Sequence, residues 1–150
     1  MEIKALEVQD GDCMTSKEFL QQGWNIDKRI EKRIDERERL LAKLTNGVHA
    51  QLSDMPKSKN QSDWTDTALK IIELDNRLKN EINELIEIRN KIDKAISDVS
   101  DIKLRTLLEY RYRNCMSWEK IAVEMGYEFR HITRLHGTAL KMVKVPEKMS

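Results

Sequence analysis

Arg130 and Arg134 stand four residues apart near the end of a 150-residue chain, with His131 and Thr133 between them and Glu128 just ahead. On a helix that spacing puts both guanidinium groups on one face. Each guanidinium is a planar fork of donors that can grip guanine O6 and N7 together. Thr133 suits a thymine methyl or a phosphate. Glu128 suits either cytosine N4 or the positive end of a helix dipole. Glu128, Arg130, His131, Thr133 and Arg134 are therefore the candidate base-reading residues. Arg111, Arg113, Ser117, Lys120, His136, Lys141 and Lys144 surround them in sequence and are candidates for phosphate contact, which anchors without specifying.

Other chemistries find less to work with. Cys115, His131 and His136 are irregularly spaced and lack a fourth ligand nearby, so no metal site is expected. Cys115 reads as a small buried apolar residue. There is no glycine-rich phosphate loop and no Ser/His/Asp or Cys/His arrangement. The carboxylates lie on helical surfaces opposite bases, where solvated pairing explains them. The expectation is a non-enzyme with no catalytic residues and no cofactor.

The candidate residues need an element to present them, and the stretch Ser117–His136 supplies one. With Trp118 as the first position of a twenty-residue helix-turn-helix, Ile121 is fourth, Ala122 fifth, Met125 eighth, Gly126 ninth and Tyr127 tenth. Ile132 is then fifteenth and Leu135 eighteenth. A steep crossing needs a small residue where backbones approach, here Ala122. The turn needs a residue at ease with positive φ, here Gly126. Ile121, Met125, Tyr127, Ile132 and Leu135 make the shared core, roofed by Leu104, Leu107, Leu108 and Tyr112. In such a unit the second helix enters the major groove with its N-terminal residues at the base edges.

The segment Leu107–Val143, "LLEYRYRNCMSWEKIAVEMGYEFRHITRLHGTALKMV", resembles region four of bacterial sigma factors. More narrowly, "SWEKIA", "MGY" and "RLHGTAL" resemble the ArpU/RinA-type phage transcriptional regulators of Gram-positive bacteria. The resemblance implies a C-terminal helix-turn-helix behind a charged helical region, double-stranded DNA as partner, and activation of phage late or packaging genes. The family's recognition helix usually opens with Ser or Thr, where this chain has Glu128 and Phe129. Residues 1–102 hold nothing like the sigma region that melts DNA, so the resemblance does not extend to a complete sigma factor.

The rest of the chain reads as charged helix. "TSKE" at Thr15–Glu18 has the form of a capping box. From it a helix is predicted to about Leu44, with Phe19, Ile26, Ile30, Ile34, Leu41, Leu44 and Val48 on one stripe and Trp24 and Leu40 beside it. Ser53–Asp63 is polar, contains Pro56 and reads as a connector. A second helix is predicted from near Trp64, capped by Ser62 or Asp63. Ile71, Leu74, Leu78, Leu85, Ile88, Ile92, Ala95, Val99 and Ile102 occupy its a and d positions, interrupted by Glu81. Sustained heptads mean lengthwise packing on another helix, either the first one folded back or a second copy. Each helix would run roughly 45 Å at 1.5 Å per residue. Ser100 is a candidate cap for the helix that follows.

Composition agrees with this layout. Gly (5) and Pro (2) are scarce and 35% of residues are charged, which favours helix. The net charge of +1 is unevenly divided. Residues 103–150 carry ten Lys/Arg against five Asp/Glu, and residues 1–102 are net acidic. The C-terminal third has the electrostatics of an anion binder. No apolar run is long enough for a bilayer, and no secretory signal opens the chain. Two distant cysteines, Cys13 and Cys115, fit a reducing cytoplasm.

The reading is thus an all-α chain: an N-terminal antiparallel long-helix hairpin of coiled-coil type, then a C-terminal sigma-region-four-like helix-turn-helix. Its expected segments are a flexible N-terminus 1–14, the hairpin 15–100, the DNA-binding domain 101–145 and a tail 146–150. The expected function is a sequence-specific regulator of phage or prophage genes. Its helical region either forms a homodimer or touches RNA polymerase, with no membrane partner. Two alternatives stay open: a small-terminase-like packaging subunit, and a coiled-coil scaffold that binds only protein.

Overall fold

A computed structural model describes residues 14–53 and 61–146, with side chains described over 14–47 and 64–146. The expected loose N-terminus short of Met14, Cys13, Val48, the caps Ser62 and Asp63, most of the connector and most of the tail fall outside these ranges. The described chain is all-helical, with no strand among the described residues. It divides into two compact units. One is built from residues up to Trp24 together with those from Lys91 onward; the other is Asn25–Asn90.

That interruption is local and physical. Helix α1, Ser16–Gln21, begins with the capping box. Thr15 Oγ1 accepts from Glu18 N at 3.2 Å, and Glu18 Oε2 accepts from Thr15 N at 2.9 Å. Residues 22–25 form a turn, and Asn25 takes φ 53°, a left-handed conformation that asparagine tolerates better than most. Helix α2, Ile26–Ser53, starts afresh. The rod expected over 15–44 is therefore two helices, and the second runs nine residues past the expected end. Phe19 and Leu20 of α1 are buried, and Gly23 lies so close to Ile92 that a Cβ would come within 2.9 Å of Ile92 Cδ1.

In the unit Asn25–Asn90, α2 faces the earlier part of helix α3, Gln61–Ser97. Asp27 pairs with Arg89 at 3.1 Å, Arg33 with Glu81 at 3.0 Å and Arg37 with Asp75 at 2.6 Å. Nearest the connector, the Trp64 indole covers Gly47. Partner numbers fall along α3 as they rise along α2, so the two helices are antiparallel. Glu81, the break in the heptads, is thereby engaged by Arg33. Two helices bury their stripe incompletely: Ile71 and Leu78 are buried, whereas Ile34, Leu69, Ile72 and Leu74 are exposed.

The other unit holds α1, the last turns of α3, and three further helices. Ile92, Ala95, Ile96 and Val99 are buried there. Helix α4, Ile102–Leu108, is capped by Asp101, whose carboxylate accepts from Lys103 N and Leu104 N; the expected cap was Ser100. Ile102, expected in the buried seam, is 69% exposed, because α3 ends at Ser97 and the heptad phase ends with it. A π-helical turn, Glu109–Arg113, follows and closes with Asn114 N donating to Glu109 O. Helices α5, Trp118–Met125, and α6, Phe129–Met142, complete the unit. Leu107, Ile121 and Ile132 are fully buried together, with Met116, Trp118, Met125, Tyr127 and Leu135 against them. Cys115 is half-buried at φ 53° rather than a core residue.

Candidate nucleic-acid interface

The link between α5 and α6 is short because its backbone bonds are satisfied within it. Gly126 takes φ 70° and ψ 32°, its N–H donates to Val123 O, and Tyr127 N donates to Ala122 O. This is a Schellman end, in which a left-handed residue lets two N–H groups reach back to the last carbonyls. Ser117 caps α5, its Oγ accepting from Lys120 N at 3.3 Å. Glu128 takes the extended N-cap backbone of α6, but its side chain makes no capping bond.

The residues on α6 divide by exposure. Arg130, Thr133, Arg134 and Lys141 are exposed, as are Glu128 and Phe129, the latter at 50%. Neither Arg130 nor Arg134 forms an ion pair with any described residue. Thr133 Oγ1 donates to Phe129 O at 3.0 Å, which uses its proton and leaves its methyl and lone pairs free to act. From Glu128 to Lys144 there is one carboxylate against four Lys/Arg. The stripe Ile132, His136, Ala139 and Val143 is buried. His131 is half-buried, its ring 4.7 Å from that of Tyr127. Across from it, Lys103 lies 5.1 Å from the Tyr127 centroid, and hydrogen bonding to Tyr127 holds its ammonium above the usual lysine range.

Two expected phosphate contacts, His136 and Arg113, are otherwise employed, and a third, Arg111, is stacked on indoles without an ion pair. His136 is buried at 8% exposure, its Nε2 2.7 Å from Tyr112 Oη and its ring against Trp118. Burial, with the charges of Lys17 and Arg111, lowers its pKa to about 4, so it is neutral near pH 7 and is a packing residue, not an anion ligand. Arg113 pairs with Asp93 at 3.1 Å. Arg111 lies between two indoles, 4.7 Å from the Trp24 centroid and 4.3 Å from that of Trp118, and its Nη1 donates to Met116 O. Ser117, Lys120, Lys141 and Lys144 remain exposed. The stacked tryptophans and the nearby Lys17 were not among the sequence candidates. The signal for His136 was present, since it lies four residues after Ile132 and three before Ala139.

Among the described residues, no group of three His, Cys, Asp or Glu side chains could hold a metal ion, and no helix is long and apolar enough to cross a membrane. No family model, curated protein or solved structure matches the chain significantly.

Proposed function

We propose that this chain is a sequence-selective double-stranded DNA-binding protein that regulates transcription, with the N-terminal half of α6 reading the major groove. The observation that carries the reading is the pair Arg130 and Arg134, exposed, unpaired among the described residues, and set just past a glycine turn. Salt bridges would silence them; DNA phosphates and guanine edges would engage them. The resemblance to ArpU/RinA-type regulators and to sigma region four agrees with this reading and adds phage or prophage late genes as the target. A gel shift with genomic fragments tests it. A retarded species at micromolar protein or below, sensitive to salt, is expected. No shift on any duplex at moderate salt would leave a protein-only scaffold in its place.

A second copy is the partner that fits the unit Asn25–Asn90. Leu40, Leu74 and Leu78 line an open groove together with Glu36 and Glu81, both paired with Arg33, and with the further cations Arg39, Lys43 and Arg77. A groove lined by leucines and charges of both signs can meet itself across a two-fold axis. Light scattering decides it: a dimer that Leu74→Glu dissociates is expected. A ring of eight or more chains would favour a packaging subunit, and a monomer at tens of micromolar would leave RNA polymerase as the surface's partner.

A further inference from the structure

Beside α5 lies an open basin of about 380 Å³ lined by Lys17, Gln21, Trp24, Arg111, Tyr112 and Trp118. Its walls carry two cations and no carboxylate. Lys17 is exposed on α1 and makes no ion pair with any described residue. Arg111 lies over both Trp24 and Trp118, with the Met116 carbonyl taking one of its N–H groups. A guanidinium has five such donors, so most remain for an anion. Burial chiefly lowers the pKa of His136, and the charges of Lys17 and Arg111 lower it further, so both cations stand near that ring.

We infer that this basin is a backbone-phosphate site of the DNA interface, with Lys17 of α1 and Arg111 of the π-helical turn as its cations. The inference rests on the DNA-binding reading above. In a helix-turn-helix the first helix crosses the sugar-phosphate backbone, and Trp118, the first residue of α5, forms one wall of the basin. Helix α1 is thereby part of the DNA-holding surface rather than of a remote coiled region. Its anchorage fits that role: Phe19 and Leu20 are buried, and Ser16 Oγ reaches Val143 O at the end of α6.

The test uses the full chain and a duplex selected by the wild type. Lys17→Ala should weaken binding several-fold on every sequence alike and reduce the slope of log affinity against log salt by about one. Gln21→Glu, which sets a carboxylate in the wall without shortening α1, should weaken binding by at least as much. Circular dichroism should show both variants as helical as the wild type. If the wild type binds DNA and both variants match it in affinity and slope, this inference fails while the DNA reading stands. If the wild type binds no duplex, both fall. Inorganic phosphate titrated against tryptophan fluorescence separates the sources: weak, millimolar binding lost in Lys17→Ala supports a backbone contact. Micromolar saturation by phosphate alone would make this a small-anion pocket and overturn the proposal.

Discussion

The Tyr112 hydroxyl and the His136 imidazole lie 2.7 Å apart, buried between α6 and the π-helical turn, with Trp118 edge-on to the imidazole. Burial also raises the Tyr112 pKa, so both groups are neutral near pH 7. The imidazole binds its proton less readily in the folded chain, with a pKa of about 4 against an ordinary 6.5. Between those values the unfolded chain holds more protons, so stability falls as pH drops through 6.5 toward 4 and levels off below. The span corresponds to about 3 kcal/mol at most. Urea unfolding at pH 7.0, 5.5 and 4.5 should show that decline, and His136→Phe should lack this component. A wild-type midpoint that is flat across the range would mean that the ring has water access.

Gly126 sits at φ 70°, and a Cβ built there would meet nothing within 4 Å. The cost of Gly126→Ala is therefore backbone strain alone, about 1 kcal/mol. Gly126→Asn should cost less and Gly126→Val more, since β-branching crowds the left-handed region. Chemical denaturation should rank the three in that order. An Ala variant as stable as the wild type would show that the turn relaxes to negative φ.

Arg134→Ala should reduce affinity for the preferred duplex by about 1–3 kcal/mol and relax selectivity at one position, as loss of a bidentate base contact does. Lys141→Ala should weaken all duplexes together and lower the salt slope by about one. Competition between a selected and a scrambled duplex separates the two behaviours. Equal losses on both duplexes from both variants would remove α6 as the reader.

The features legible in the sequence were those with short-range causes. The capping box at Thr15–Glu18 and the left-handed Gly126 depend on residues three or fewer positions away. The helical class followed from composition and the scarcity of Gly and Pro. Periodicity hides the break at residues 22–25, because Phe19, Ile26 and Ile30 stay in helical phase across a turn that Gly23 and Asn25 make. Among the site residues, exposure at Arg130 and Arg134 follows from phase relative to Ile132. The fates of Arg111 and Arg113 do not, because Trp24 and Asp93 lie far away in sequence. A cation is free or occupied according to its neighbours in space, which spacing along one helix does not report.

Gly47 and Trp64 give a prediction whose sign reverses with background. The Trp64 ring lies where a Cβ on Gly47 would stand, so Gly47→Ala forces the indole off the helix surface. Overpacking of this kind costs roughly 1–3 kcal/mol. Trp64→Ala removes the ring, and with it a large apolar contact near the connector end of α2 and α3. In that background the same Gly47→Ala is free of the indole clash, and inside a helix alanine is favoured over glycine by about 1 kcal/mol. A double-mutant cycle should therefore show Gly47→Ala destabilising the wild type and stabilising Trp64→Ala, a coupling of about 2 kcal/mol or more. Additive effects would mean that the indole moves aside at no cost, and the glycine would then have no packing reason to stand at that position.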